Sequence, residues 1–472
     1  MKTPKAFQAI ETRDLAYFKD LVPESAIFID AENLEKYGHD ETEDLQFNPQ
    51  VVLKPASADE VSKILSYCNE RNIAVTASGA RTGLSGGALP LYGGVALSTE
   101  NLNRILEIDE RNLQATVEPG VINQVFHEAC KEKGLFYPPD PSSWGSSFIG
   151  GNLALNAGGP KAVKYGVTNA YVLDLEVVLA NGSIINTGAR VLKNSTGYNL
   201  TQLMVGSEGT LGIITKATFR LLPYPKHNML LLVPFASALK ACEAVSAIFQ
   251  AGITPSGMEF MERDAIDYTL KFVDNVELPI APEVQAHLLI EVDGNYTETL
   301  MQDCEAIAEI VMNFGAFEPL FADNEKDKAA LWTLRRRVGE AVKSHSIYKE
   351  EDTVVPRAEL ANLLGVVKEL GNQYGFKSVC YGHAGDGNLH VNILKEEMSD
   401  GAWEQDLPKA IRALFTAVKK MGGTISGEHG IGYVQKDYLD IAFNAVELNL
   451  QKQIKNTFDP KGILNPGKVF PE

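Results

Sequence analysis

Three glycine-dense loops punctuate the first half of this chain: residues 77–89 (ASGARTGLSGGAL), 139–159 (PDPSSWGSSFIGGNLALNAGG) and 206–215 (GSEGTLGIIT). Between them run short β-branched stretches, VVLKP, NIAVTASG, GVALST, LQATVEPG, VLDLEVVLANG and GIITKATFRLLP, which read as short strands. One segment, ADEVSKILSYCNERN, instead places Val61, Ile64, Leu65 and Cys68 at helical spacing. No GxGxxG stands between a strand and a helix and no GxxxxGK[ST] occurs, so Rossmann and P-loop nucleotide binding are unsupported. The pattern is that of an α+β domain ending near Pro225.

Successive glycines let backbone N–H groups converge, forming a nest that neutralises a pyrophosphate without cationic side chains. Gly79, Gly83, Gly86 and Gly87 satisfy that requirement in the first loop, although alone such loops are mostly plain turns. In the second loop, Ser142, Ser143, Ser146, Asn152 and Asn156 offer hydroxyls and amides to a polar heterocycle. In the third, Gly209 and Gly212 open onto a strand whose backbone could pair with a flavin edge.

At 472 residues the chain exceeds one ordinary core, and two or three domains are expected. Its net charge of −18 disfavours nucleic acid or an anionic membrane surface as a main partner. The five cysteines, Cys68, Cys130, Cys242, Cys304 and Cys380, are odd in number and lack CxxC spacing, which fits reduced thiols in a cytoplasmic protein. The N-terminal text carries charge throughout, without the apolar core of an export signal, and no apolar run approaches the roughly 20 residues of a spanning helix.

Residues 1–45 read as a helical lead-in followed by an acidic loop, His39 to Asp44, and residues 46–225 as the glycine-loop domain. Beyond Pro223 and Pro225 comes strand MLLLVPF, helix SALKACEAVSAIFQAG and strand GMEFME, then strand AHLLIEVDG and helix ETLMQDCEAIAEIVMNFGA. A strand–helix unit recurring in this way predicts a ferredoxin-like α+β layer over residues 226–422, capping the first domain. Residues 423–472 return to glycine-punctuated text and are expected to rejoin that first domain.

Residues 382–390, GHAGDGNLH, hold two histidines seven apart, and GEHG at 427–430 follows with a carboxylate and a third histidine. Imidazole and carboxylate are the usual donors for a borderline divalent cation, so His383, His390 and Glu428 could hold Zn²⁺, Mn²⁺ or Fe²⁺ with open positions. His429 is then free for proton transfer. Any anionic substrate needs local cations, which the segment LWTLRRRVGEAVKSHSIYKEED supplies as Arg335, Arg336, Arg337, Lys343 and Lys349, most of them ordinary solvated helix charges.

In this order, PASADEV, ASGARTGLSGG, DPSSWGSSFIGGNLALNAGG, KYGVTNAYVLDLEVVLANG, GSEGTLGIIT, GHAGDGNLH, SGEHGIG and DPKGILNPGK, the chain resembles the FAD-linked dehydrogenases of D-2-hydroxy acids over residues 45–470. That family includes D-lactate dehydrogenase, D-2-hydroxyglutarate dehydrogenase and the flavin subunit of glycolate oxidase. The resemblance implies the vanillyl-alcohol-oxidase fold, with a two-part FAD domain and a cap. It implies FAD pyrophosphate contacts at Gly79, Ala80, Arg81, Thr82, Gly83, Ser85, Gly86 and Gly87. Ring and ribityl contacts fall at Pro141, Ser142, Ser146, Gly151, Asn152 and Ile214, with Asn465 near the ring. Neither His nor Cys occurs in loops 77–89 and 139–159, so noncovalent FAD is expected.

The same resemblance assigns His383, His390 and Glu428 to a metal, zinc or manganese, and His429 to the base. It assigns Asn392, Arg335 and Lys349 to the substrate, and Arg335 has the planar fork suited to a carboxylate. Where hydroxyglutarate-oxidising members place a hydroxyl one turn after the arginine, this chain has Gly339, which weakens that substrate assignment. The expected activity is oxidation of a D-2-hydroxy acid to the 2-oxo acid, with electrons passing to an electron-transferring flavoprotein, a quinone or another carrier. Alternatives are a non-redox flavoprotein of the alkylglycerone-phosphate synthase type and a flavin-binding subunit of a larger oxidase. The motifs are compatible with a homodimer.

Overall fold

The computed structural model describes residues 7–42, 45–273, 278, 280–322 and 324–471. Glu43 and Asp44 of the expected acidic loop lie outside the described residues. Two compact units emerge. The first comprises the chain up to Gly158, Val167–Tyr224 and the chain from Glu428 onward; the second comprises Gly159–Gly166 and Pro225–Gly427.

Strands of the first unit are β1 (Ile27–Phe28), β2 (Val51–Leu53), β3 (Val75–Ser78), β4 (Val95–Ser98), β5 (Ile105–Asp109), β6 (Gln114–Val117), β7 (Leu135–Phe136), β8 (Val172–Val178), β9 (Ile184–Asn186), β10 (Ile213–Arg220) and β11 (Leu222–Pro223). One sheet has the order β1-β2-β4-β3, with β2, β4 and β3 parallel. These parallel strands are buried almost throughout, which explains their near-continuous apolar text. The other sheet, β5-β6-β10-β8-β9, is antiparallel, and β7 pairs separately with β11. The helix Ala58–Arg71 forms where the spacing predicts. Ser57 accepts from Glu60 N–H at its start, Asn72 closes it in the left-handed region, and Val61, Ile64, Leu65 and Cys68 are buried.

The closing segment rejoins this unit through its backbone. Val75 N–H donates to Ile463 and Asn465 N–H donates to Val75, so Leu464 runs parallel beside β3. Ile463 and Leu464 are fully buried in the core shared with Val51, Leu53, Val75 and Val95.

In the second unit one antiparallel sheet has the order β15-β12-β14-β13-β17-β18-β16. Its strands are β12 (His227–Phe235), β13 (Gly257–Glu262), β14 (Ala286–Gly294), β15 (Leu320–Ala322), β16 (Tyr348–Val354), β17 (Lys377–Gly382) and β18 (Asn388–Leu394). The helices Ala238–Gln250 and Thr297–Met312 complete the repeated strand–helix unit. The sheet extends beyond the ferredoxin-like layer because the β17–β18 hairpin and β16 add to its β13 edge.

Gly159–Gly166, read from sequence as part of the first domain, is held in the second unit. Lys161 pairs with Glu291, while Lys164 and Tyr165 both reach the Asp293 carboxylate. Burial alone would raise the Glu291 pKa, but Lys161, Ser256 and Trp332 outweigh it and hold the carboxyl below its ordinary range.

Candidate active site

The first loop leaves β3 at Ser78 and is braced on every side by other parts of its own unit. Gly86 N–H donates to Thr42 Oγ1 (2.6 Å), Ser85 Oγ donates to the His429 carbonyl (2.8 Å), and Ser85 O accepts from Tyr433 N–H (2.8 Å). The last contact requires Gly432, at φ +50°, because a Cβ there would lie 2.1 Å from Ser85 O. From the closing segment, Asn465 Nδ2 donates to Gly87 O (3.0 Å) and Glu208 O (2.8 Å), and Lys468 Nζ donates to Leu89 O (2.5 Å). Burial lowers the Lys468 pKa to about 7. It raises that of Glu208, whose carboxylate accepts from Ile431 N–H (2.9 Å) and Gly432 N–H (2.7 Å).

Arg81 sits at φ +62° with its guanidinium 4.1 Å over the Tyr37 ring and 3.5 Å from Glu100. Its charge is thus turned toward Tyr37 and Glu100. A Cβ at Gly83 or Gly151 would meet nothing within 4 Å, so packing does not explain those glycines. Ser78 Oγ, Thr99 Oγ1, Ser147 Oγ and Asn152 Nδ2 are buried without hydrogen-bond partners. An open glycine cradle with orphaned polar atoms is the donor set a flavin nucleotide would satisfy. Ile214 lies on β10 opposite Val177 as expected, while Ser142 is exposed.

The second unit assembles a cluster around the β17–β18 hairpin. Gly387, at φ +75°, turns the hairpin where a Cβ would strike Val355 O at 2.0 Å. Register then places Tyr381 opposite His390 opposite Asp352, and Val379 opposite Asn392 opposite Glu350. Residues paired across a ladder share a face, so Tyr381, His390, Asp352, Asn392 and Glu350 lie together. The rings of His383 and His390 are 5.6 Å apart at 81°, each with a nitrogen within 4.8 Å of the other.

Each histidine has a carboxylate at Nδ1. Glu259 on β13, fully buried, places Oε1 at 2.8 Å and Oε2 at 2.9 Å from His383 Nδ1. Glu350 Oε1 lies 3.5 Å and Asp352 Oδ1 3.8 Å from His390 Nδ1. A carboxylate only accepts, so His383 Nδ1 carries the proton and its Nε2 presents a lone pair, the arrangement that orients metal-binding histidines; the longer approaches at His390 do not fix its tautomer. His383 held this way, with the His390 ring 5.6 Å from it, is a donor set that fits a borderline divalent cation.

Arg335 is buried, with NH2 2.6 Å from Glu259 Oε2 and its guanidinium 5.2 Å over Tyr381. Its Nε has no partner, which leaves a donor for a carboxylate. Burial would raise the Glu259 pKa, but Arg335 and His383 outweigh it and hold the carboxyl below its ordinary value. Asn392 is fully buried with no well-formed hydrogen bond on either amide atom.

Lys349 is not brought to this group: it pairs with Ile393, on the face opposite His390 and Asn392. The expectation that it contacts the same substrate as Asn392 is corrected by strand alternation, which turns Glu350 inward instead. Asp352 anchors the way to the remaining sequence candidates, accepting from Gly427 N–H (2.7 Å), the residue before Glu428 and His429. Glu259, Glu350 and Asp352 escaped the sequence reading; an acid inside an apolar strand such as GMEFME was the available signal.

Residues 49–188 match the family described as an FAD binding domain, and residues 224–469 match the C-terminal domain of FAD linked oxidases. The glycolate oxidase subunit GlcD of Bacillus subtilis (strain 168) is 41% identical over 437 residues, covering 92% of each chain. A D-lactate dehydrogenase of Anaerostipes hadrus is 38% identical, covering 96% of both. A D-2-hydroxyglutarate dehydrogenase of Stutzerimonas stutzeri (strain A1501) is 34% identical, covering 96% of this chain and 97% of that one. Among solved structures, p-cresol methylhydroxylase with substrate bound has a TM-score of 0.78 at 16% identity, covering 98% of both chains. An alkyldihydroxyacetonephosphate synthase scores 0.73 at 18% identity over 98% of this chain and 85% of that one. At such identities these structures establish the fold alone.

Proposed function

Because this chain belongs to the FAD linked oxidases, an oxidoreductase family, and carries its FAD-binding domain, we propose that it oxidises a D-2-hydroxy acid to the 2-oxo acid, with D-lactate and D-2-hydroxyglutarate the leading substrates. The observation that carries this reading is the buried histidine pair, with Glu259 bound to His383 Nδ1 and Arg335 beside it. A bound divalent cation, zinc or manganese, would acidify the substrate hydroxyl, and noncovalent FAD would take up the hydride from C2.

His383, His390 and Glu428 are the ligands we assign to that cation. Glu259 fixes the tautomer of His383. Arg335 Nε–H and the Asn392 amide hold the substrate, and His429 removes its hydroxyl proton. Backbone N–H groups of residues 79–83 and 85–87 hold the pyrophosphate of FAD, with Pro141, Ser142, Ser146, Gly151, Asn152, Ile214 and Asn465 around the ring and ribityl chain. An electron-transferring flavoprotein or quinone reoxidises the enzyme, which we place in the cytoplasm. No helix among the described residues is long and apolar enough to cross a membrane.

The test is anaerobic flavin bleaching with D- and L-lactate, D-2-hydroxyglutarate, D-malate and glycolate, before and after chelation. Bleaching by a D-acid, lost with chelator and restored by Zn²⁺ or Mn²⁺, supports the reading. Bound FAD that none of them reduces redirects it to the non-redox synthase or the binding-subunit alternative.

A further inference from the structure

The face that bears His390 and Asn392 is rich in carboxylates. Glu259, Glu350 and Asp352 all have side chains at most 7% exposed. Arg335 stands against them, and its charge is already matched by Glu259 at 2.6 Å. Glu350 has no such counter-ion in contact: Oε1 accepts from the Tyr381 hydroxyl (3.3 Å) and lies 3.5 Å from His390 Nδ1. It pairs directly opposite Asn392. The Tyr381 hydroxyl also closes the space over Gly339, where a Cβ would come within 3.2 Å of it. A carboxylate with no lysine or arginine in contact therefore borders the histidine and amide assigned to the substrate, with a phenol limiting the room beside it.

We propose that Glu350 is a specificity-determining residue that restricts the site to 2-hydroxy acids with one carboxylate and a short uncharged substituent on C2. This deepens the proposed function and rests on it. A substrate oriented at His390 and Asn392 keeps any second carboxylate, two methylenes from C2, within several ångströms of Glu350. Like charges at that separation away from bulk water disfavour binding by about 100-fold. The Tyr381 hydroxyl donates to Glu350 and holds it in position, so it acts as a positioning residue.

Binding of product acids to the oxidised holoenzyme tests this without turnover. Isothermal titration compares pyruvate, 2-oxoglutarate and the 5-(N,N-dimethylamide) of 2-oxoglutarate, an amide that keeps the C1 carboxylate, carries no charge at the distal end and cannot close to a lactam. In the wild type the amide should bind about 100-fold more tightly than the dicarboxylate. Glu350→Gln should shrink that ratio to about threefold while the flavin spectrum and metal content stay as in the wild type. Equal binding of amide and dicarboxylate by the wild type overturns the proposal with no variant needed, as does an unchanged ratio in Glu350→Gln. Loss of metal from that variant also overturns it, since Glu350 would then be a ligand. If D-lactate bleaches the flavin and the ratio is flat, only this inference fails; if no 2-hydroxy acid bleaches it, the underlying reaction fails.

Discussion

Glu259→Gln separates two roles that one carboxylate combines. In the native protein Glu259 lies 2.8 and 2.9 Å from His383 Nδ1 and 2.6 Å from an Arg335 nitrogen, fully buried. Glutamine keeps the shape, removes the charge and has one oxygen to share between two donors. Breaking a buried ion pair from one side leaves the guanidinium without its counter-charge, so a loss of about 3–5 kcal/mol is expected. Freeing the His383 tautomer should weaken divalent-metal binding about 10–100-fold. Denaturant midpoints report the first quantity and competition with a chelator the second. Adding Arg335→Met removes the orphaned guanidinium, so stability should partly recover while metal binding stays weak. A Glu259→Gln protein that holds metal within about twofold of the wild type refutes the orienting role.

Other outcomes follow from single contacts. His429→Ala should retain FAD and lower the rate of flavin reduction by about two to four orders of magnitude in stopped-flow absorbance; near-normal reduction means the base lies elsewhere. Gly151→Ala adds a Cβ with no protein atom within 4 Å, so the apoprotein should keep its melting temperature within about 3 °C while FAD affinity, read by fluorescence quenching, falls at least tenfold; unchanged affinity removes Gly151 from the cradle. Burial on β14 lowers the His287 pKa from 6.5 to about 4, so its proton is taken up by the unfolded chain first. Stability is thus full above pH 6.5 and declines as pH falls toward 4, by about 3 kcal/mol. In His287→Leu, urea unfolding at pH 7 and 4.5 should differ by correspondingly less; an identical pH dependence argues against a neutral buried imidazole.

What the sequence could convey depended on how locally each feature is encoded. The helix Ala58–Arg71 was legible because its apolar spacing, Ser57 cap and Asn72 stop all lie within the segment. The histidines were legible because a seven-residue spacing across Gly-Asp-Gly already describes a hairpin. Lys349 was misplaced for the opposite reason. Which of Lys349 and Glu350 faces His390 depends on pairing with β18, and a shift of one residue reverses the face. The partnership of Glu259 with His383 and Arg335 joins three distant strands and helices, and no local pattern announces it. Gly159–Gly166 looked like the end of a glycine loop, yet Lys161 and Lys164 bind acids on β14 more than a hundred residues away.

The hydrogen bond from Asn465 to Gly87 joins residues 378 apart in the chain. During synthesis, loop 77–89 emerges early but must wait for residues 463–468 before its brace exists. At ribosomal speeds of about 5–20 residues per second that delay is roughly 20–80 s. Over this interval β3 has an open flank where Leu464 will later run, with Val75 N–H still seeking the Ile463 carbonyl. A nascent chain in this state exposes an apolar strand edge to its neighbours. Slow translation of the second unit should therefore lengthen the window for aggregation, and early supply of the cofactor should shorten it only once the closing segment has been made.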